Sequence, residues 1–174
     1  KTEGFDFDSK EIQTALDTFY TRLETATKLS ELMLTEAQLT KALYKYAANI
    51  TNIEGFTRQH QGSDRNHTDK ANDFLNHGNY LAYGLAACTL WVLGIPHGFA
   101  VMHGKTRRGA LVFDVADLIK DALVLPWAFI CAKEKATEQE FRQQILQVFT
   151  DHKALDFMFE QVKRVAVGND EEQV

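Results

Sequence analysis

The chain has 174 residues, 45% of them hydrophobic and 25% charged, which is typical of one globular domain with a substantial core. A formal net charge of −5 argues against a uniformly basic nucleic-acid-binding protein, although three positive charges cluster within residues 105–108. Cys88 and Cys131 are too far apart in sequence for a paired zinc motif, and two cysteines in 174 residues do not suggest a disulfide framework, so a reducing, cytoplasmic compartment is expected.

Helical periodicity extends along most of the chain. Ser9 is the predicted N-cap of the first helix, and Thr35 opens a capping box at the start of the second. The predicted helices cover residues 9–30, 35–57, 69–93, 111–123 and 127–132, then one that opens with a capping box at 137–140 and a last one around 155–165. Because no alternating strand pattern occurs, the sequence predicts an all-α helical bundle.

The interruptions between these segments complete the predicted organisation. Residues 59–68 are polar and predict a mobile loop, and Pro126 is expected to break or kink its helix. Gly168 is expected to end the last helix, so that residues 1–167 form one helical domain and residues 168–174 a disordered acidic tail. The apolar residues 81–95 are too few to span a bilayer comfortably, so a buried helix is expected there.

The most informative stretch brings one imidazole and two carboxylates together. His103 is followed by Asp114 and Asp117, whose spacing of three places them on neighbouring positions of one helix face. Carboxylate oxygens with one imidazole suit a divalent ion such as Mg²⁺ or Mn²⁺. The loop between them contributes cations that suit a phosphate, namely Lys105, Arg107 and Arg108. A metal site beside phosphate-binding cations predicts phosphodiester chemistry.

Glu54 is the leading candidate for a further carboxylate ligand. If the second helix runs to residue 57, its apolar stripe at residues 39, 43, 47 and 50 continues to Glu54. Glu54 then lies on the core-facing side, where a carboxylate needs a compensating cation. Glu36 is the rival, but a glutamate in the first turn already has a role in the capping box. If the helix ends early, Glu54 is simply solvated.

Simpler interpretations apply to the same residues as well. Asp114 and Asp117 can form a solvated acidic face, with Asp117 paired to Lys120 three residues later. His97 is an alternative to His103 by residue type, but it lies beside a proline turn and farther from the aspartates. The metal site and the acidic face are therefore competing hypotheses at this point.

Three segments resemble the CRISPR-associated spacer integrases, a family of metal-dependent DNA endonucleases, and most closely its type I, subtype F variant. The segments are residues 76–84, 94–104 and 111–119, within a similarity that covers about residues 32–167. By this resemblance His103 and Asp117 match the metal-binding histidine and aspartate of the family. Glu54, in a Glu-Gly pair followed by Arg58, matches its glutamate. The resemblance implies that Asp114 is an accessory acid, beside the ligands or bound to another ion.

The resemblance also implies an architecture and partners. The chain is expected to be the all-α catalytic domain without the N-terminal β-rich domain of the family, which forms the homodimer in the intact protein. Double-stranded DNA is the implied partner, as spacer precursor and as CRISPR repeat, together with a nuclease-like adaptation protein that is fused to the helicase-nuclease in this subtype. No membrane partner is expected. The residues expected to contact DNA are Lys105, Arg107 and Arg108, with Arg58, Arg65 and Lys70 as weaker candidates.

Two other functions are alternatives to a DNA endonuclease and integrase. One is a non-catalytic helical module that binds DNA or protein, in which the acidic cluster is structural. The other is a metal-dependent phosphohydrolase of small phosphoesters.

Overall fold

The computed structural model of the chain describes residue 6 and residues 9–59, 69–99, 101–102 and 108–167. The helices are α1 (Lys10–Thr25), α2 (Leu29–Thr51), α3 (Lys70–Val92), α4 (Ala110–Ile119), a π-helical turn (Lys120–Val124), α5 (Leu125–Lys133), α6 (Glu138–Asp151) and α7 (Ala154–Val167). No strand occurs in these ranges, and the predicted all-α class is confirmed. The predicted loop 59–68, apart from Gln59, and the predicted tail 168–174 lie outside the described residues.

Side-chain caps set the start of the first two helices. The predicted cap of α1 is confirmed, because Ser9 Oγ accepts the N–H of Ile12 at 3.4 Å. The predicted start of α2 at Thr35 is wrong. The helix begins at Leu29, where the Glu31 carboxylate accepts the N–H groups of Thr27 at 2.8 Å and of Lys28 at 3.2 Å. These bonds satisfy donors that a helix start leaves unpaired, and Thr35 is buried inside the helix instead.

The end of α2 also differs from the prediction. The helix stops at Thr51 rather than at residue 57, and Asn52 adopts a left-handed conformation with φ 57° and ψ 36°. An asparagine tolerates this conformation better than most residues do, so it can end a helix much as glycine does. The residues after Asn52, including Glu54, therefore form a turn outside the helix.

Pro126 was predicted to break or kink its helix; the break is wrong, and the kink stays a prediction. Helical conformation continues from α4 through the π-helical turn into α5, and Pro126 is buried in the first turn of α5. The wider π turn changes the hydrogen-bond register just before the proline, whose missing N–H is tolerated in a first turn. The capping box before α6 is confirmed, because the Thr137 N–H donates to Glu140 Oε2 at 2.7 Å and the Glu140 N–H donates to Thr137 Oγ1 at 3.2 Å.

The described residues divide into two compact units, the first within residues 1–76 and 125–141 and the second within residues 77–124 and 142–174. In the first unit, α2 packs against α1 and α5. The Phe56 ring lies 5.6 Å from the Tyr44 ring and 4.7 Å from the fully buried Phe129 ring. Cys131 is also buried on α5. Its burial raises the pKa of the thiol to about 11, and the negative charges of Glu134 and Glu140 add to the effect.

In the second unit, α4 packs against α7. Val115 and Ile119 of α4 and Met158 of α7 are buried, so the apolar side of α4 faces the interior. The Phe113 ring meets the Tyr83 ring of α3 edge to face at 4.8 Å. This packing fixes the orientation of α4, which carries both predicted aspartates. Among the described helices, none combines the length and the apolar character that a bilayer crossing needs.

Candidate metal centre and DNA contacts

Asp117 lies on α4 beside a cation. Its carboxylate forms an ion pair with Lys120 Nζ, as the spacing of three predicted, and both side chains are only about one-fifth exposed. Burial alone would lower the pKa of Lys120, but the charge and hydrogen bond of Asp117, with Tyr83 and Asp121, raise that pKa above its ordinary value. The Lys120 ammonium also lies 5.4 Å from the centre of the Tyr83 ring. Asp117 is therefore a mostly buried carboxylate at a position that accommodates positive charge.

Asp114 connects α4 to the loop that precedes it through hydrogen bonds to the backbone. Its Oδ2 atom accepts the N–H groups of Val101 at 3.1 Å and of Met102 at 3.2 Å. The Leu111 N–H donates to the His97 carbonyl at 3.1 Å, so a second bond joins the same loop to the start of the helix. Met102 immediately precedes His103, which itself lies outside the described residues. Asp114 therefore anchors the chain up to the residue before the predicted imidazole ligand.

Glu54 lies on an exposed turn, so the prediction that it continues the core-facing stripe of α2 is wrong. The turn lines an open groove of 1360 Å³ in the first unit, together with Glu36, Lys41 and Lys45 of α2. Glu36 was predicted to lie in the first turn of α2, and this is wrong because the helix begins seven residues before it. Both candidates for the carboxylate ligand thus line the same groove.

The structure groups some of the predicted ligands and not others. Asp114 and Asp117 are neighbours on α4 in the second unit, whereas Glu54 belongs to the first. Within the described ranges, no three His, Cys, Asp or Glu side chains are close enough together to hold a metal ion. His103 lies outside these ranges, so the predicted ligand set stays a prediction.

The cations predicted to contact DNA have different environments. Arg108 is exposed just before α4. Arg58 donates to the side-chain oxygens of Asn72 and Asn76, two residues that the sequence-based prediction missed. Lys70 Nζ donates to the carbonyl of Ala136 at 2.9 Å. The remaining candidates, Lys105, Arg107 and Arg65, lie outside the described residues.

The family model described as CRISPR associated protein Cas1 matches residues 3–164. This chain belongs to the Cas1 family. CRISPR-associated endonuclease Cas1 of Pectobacterium atrosepticum is 55% identical over 162 residues, which are 93% of this chain and 49% of that protein. CRISPR-associated endonuclease Cas1 of Pseudomonas aeruginosa is 52% identical over 163 residues, which are 94% of this chain and 49% of that protein. The chain spans about half the length of these curated relatives.

Solved structures show the same fold. The crystal structure of a TtCas1–DNA complex matches 88% of this Cas1 chain and 59% of the TtCas1 chain, with a TM-score of 0.73 and 22% identity. The crystal structure of TtCas1 matches 94% of this chain and 64% of that chain, with a TM-score of 0.71 and 19% identity. The similarity in sequence to these relatives therefore confirms the predicted family. The similarity to the solved structures confirms the helical Cas1 fold.

Proposed function

We propose that this chain is the helical catalytic domain of a metal-dependent DNA endonuclease and integrase, which inserts new spacers into a CRISPR array by phosphodiester transesterification. The proposal depends chiefly on its 55% identity over 162 residues with the CRISPR-associated endonuclease Cas1 of P. atrosepticum. DNA as substrate is supported by the fold that the chain shares with the protein of the TtCas1–DNA complex, and double-stranded DNA is the form that we propose.

The donor set fits a hard divalent cation. Glu54 and Asp117 contribute carboxylate oxygens and His103 an imidazole nitrogen, a combination that suits Mg²⁺ or Mn²⁺. The position of Asp117 already accommodates the Lys120 ammonium, and Glu54 is accessible from a groove. Bound there, the ion would stabilise negative charge on the scissile phosphate and orient the attacking oxygen.

The side chains around the ligands have separate tasks in this proposal. Asp114 holds the loop that leads to His103 against α4 through its two backbone hydrogen bonds. Lys120 balances the charge of Asp117 in the absence of metal. Arg108, with Lys105, Arg107 and Arg65, would neutralise DNA phosphates, which positions the duplex without reading its sequence.

Partners and location complete the proposal. A homodimer of the intact protein, and a nuclease-like adaptation protein fused to a helicase-nuclease, are the expected assemblies of a subtype F member. A cytoplasmic location is supported by Cys88 and Cys131, which are both free thiols in the structure.

Cleavage of double-stranded DNA with Mn²⁺ or Mg²⁺ tests the function. Glu54→Gln, His103→Ala and Asp117→Asn should each abolish metal-dependent cleavage while helical circular dichroism stays unchanged. Asp156→Asn, at an exposed aspartate of α7, is the matched control and should cleave normally. Metal-dependent cleavage retained in the ligand variants would reject the site. DNA binding by the wild-type chain without any cleavage would favour a non-catalytic module, and cleavage of a model phosphodiester but not of DNA would favour a small-molecule phosphohydrolase.

A further inference from the structure

We propose that Arg58, Asn72 and Asn76 form a clamp that positions the turn carrying Glu54. The sequence favours a phosphate contact for Arg58, whereas the geometry assigns it a positioning role in the first unit. The inference rests on the proposed function only in taking Glu54 as a metal ligand. We call these three residues the asparagine clamp.

The guanidinium of Arg58 bridges two acceptors on one face of α3. Its Nη1 atom donates to Asn72 Oδ1 at 3.1 Å, and its Nη2 atom donates to Asn76 Oδ1 at 2.8 Å. Nη1 also donates to the carbonyl of Gln59, the next residue in the chain. Asn72 and Asn76 are four residues apart, so a helix places their side chains on the same face. A planar guanidinium has donors at fixed positions that can bind both amide oxygens at once.

Asn72 ties the backbone of the same loop to α3. Its side chain is completely buried. Its Oδ1 atom accepts the N–H of Gln59 at 2.8 Å, and its Nδ2 atom donates to the carbonyl of Thr57 at 2.9 Å. Its own backbone N–H donates to Asp69 Oδ1 at 2.7 Å. A buried amide whose donors and acceptor are all paired is costly to move, so residues 57–59 are fixed to the start of α3.

The turn is also fixed on the other side of Glu54. Asn52 ends α2 in the left-handed region, and Gly55 adopts the same region with φ 67°, a conformation that glycine accepts without strain. The Phe56 ring packs against Tyr44 and Phe129. The backbone of Glu54 therefore lies between two attached segments, although its carboxylate is exposed. A carboxylate on such a turn can bind a metal without first ordering its backbone.

Arg58→Lys separates the clamp from a phosphate contact. Lysine keeps the positive charge, which is sufficient for a phosphate, but it cannot bind both asparagines as the guanidinium does. Asn76→Ala removes one acceptor from a half-buried position, so it is a gentler change than replacing the buried Asn72. Arg22→Lys, at an exposed arginine of α1 in the same unit, is the matched control.

Two measurements on these variants test the asparagine clamp. Amide hydrogen exchange of residues 53–59 without metal should become about tenfold faster in Arg58→Lys and in Asn76→Ala, the change expected for about one lost net hydrogen bond. The dissociation constant of Mn²⁺, measured by calorimetry, should rise about tenfold in both, as is typical when the support of a metal ligand is removed. The double variant should be no worse than Arg58→Lys, because that single variant has already lost the bond to Asn76. Arg22→Lys should match the wild type in both measurements.

The opposite pattern overturns the proposal. If Arg58→Lys exchanges and binds Mn²⁺ like the wild type, while Arg58→Ala lowers DNA affinity and the slope of its salt dependence, Arg58 is a phosphate contact. A failure of the proposed function has a different signature, because the wild type would then bind Mn²⁺ no better than Glu54→Gln. Hydrogen exchange in the absence of metal would still decide the clamp in that case.

Discussion

Replacing Asp114 tests how the loop before His103 is held. One oxygen of Asp114 accepts two backbone N–H groups, and a hydrogen bond to a charged group contributes about 1.5–3 kcal/mol net. Val101 is 62% exposed, so water replaces its bond at little cost, and the bond to the less exposed Met102 dominates. We therefore expect Asp114→Ala to lower the free energy of unfolding by about 2 kcal/mol. Asp114→Asn keeps a neutral acceptor and should lose about half of that.

Urea denaturation followed by circular dichroism measures these differences. In a chain of this size the expected losses correspond to a fall in melting temperature of roughly 4–8 °C for the alanine variant and half of that for the asparagine variant. Asp17→Ala, at an exposed aspartate in the middle of α1, is the control and should stay within about 0.5 kcal/mol of the wild type. The reasoning is refuted if Asp114→Ala is as stable as the control, or if the asparagine variant is no more stable than the alanine variant.

Three further predictions concern charge and packing. Burial raises the pKa of the Cys131 thiol to about 11 in the folded state, from an ordinary value of 9.0. The unfolded state therefore ionises first, and about 3 kcal/mol of stability should be lost as the pH rises through this range. Cys131→Ala should remove that loss and Cys88→Ala should not; equal pH profiles would contradict the assignment. Lys120→Met should cost about 1–2 kcal/mol, between an exposed and a buried ion pair, because Asp117 loses this partner; wild-type stability in denaturant would count against it. Phe129→Ala should cost about 3–5 kcal/mol, and a loss below about 1 kcal/mol in the same assay would mean that its ring cluster does not hold the first unit together.

Local sequence signals predicted the elements whose ends carry their own caps. Ser9 at α1 and the capping box before α6 act within four residues, so the sequence contains the whole interaction. The start of α2 was predicted wrongly because the chain carries two capping patterns, at Glu31 and at Thr35, and the burial of Thr35 decides between them. Its end at Asn52 has only a weak signal, since an asparagine permits the left-handed conformation without requiring it.

At the candidate site, too, contacts between residues close in sequence were predictable and contacts between distant segments were not. The Asp117–Lys120 pair was predictable because a helix places residues three apart side by side. The bonds from Asp114 to Met102, and from Arg58 to Asn72, join segments 12 and 14 residues apart through loops whose conformation no periodicity specifies. The one signal for the asparagine clamp is the spacing of Asn72 and Asn76 on α3, which identifies a shared face but not the arginine that binds it.

A crystal of this chain soaked with Mn²⁺ tests the proposed metal centre most directly. Anomalous difference density should show an ion with Glu54, His103 and Asp117 at about 2.0–2.3 Å, and the Lys120 ammonium should have moved away from Asp117. An ion bound by other side chains, or no ion at a concentration that saturates binding in solution, would contradict the assignment of these three ligands.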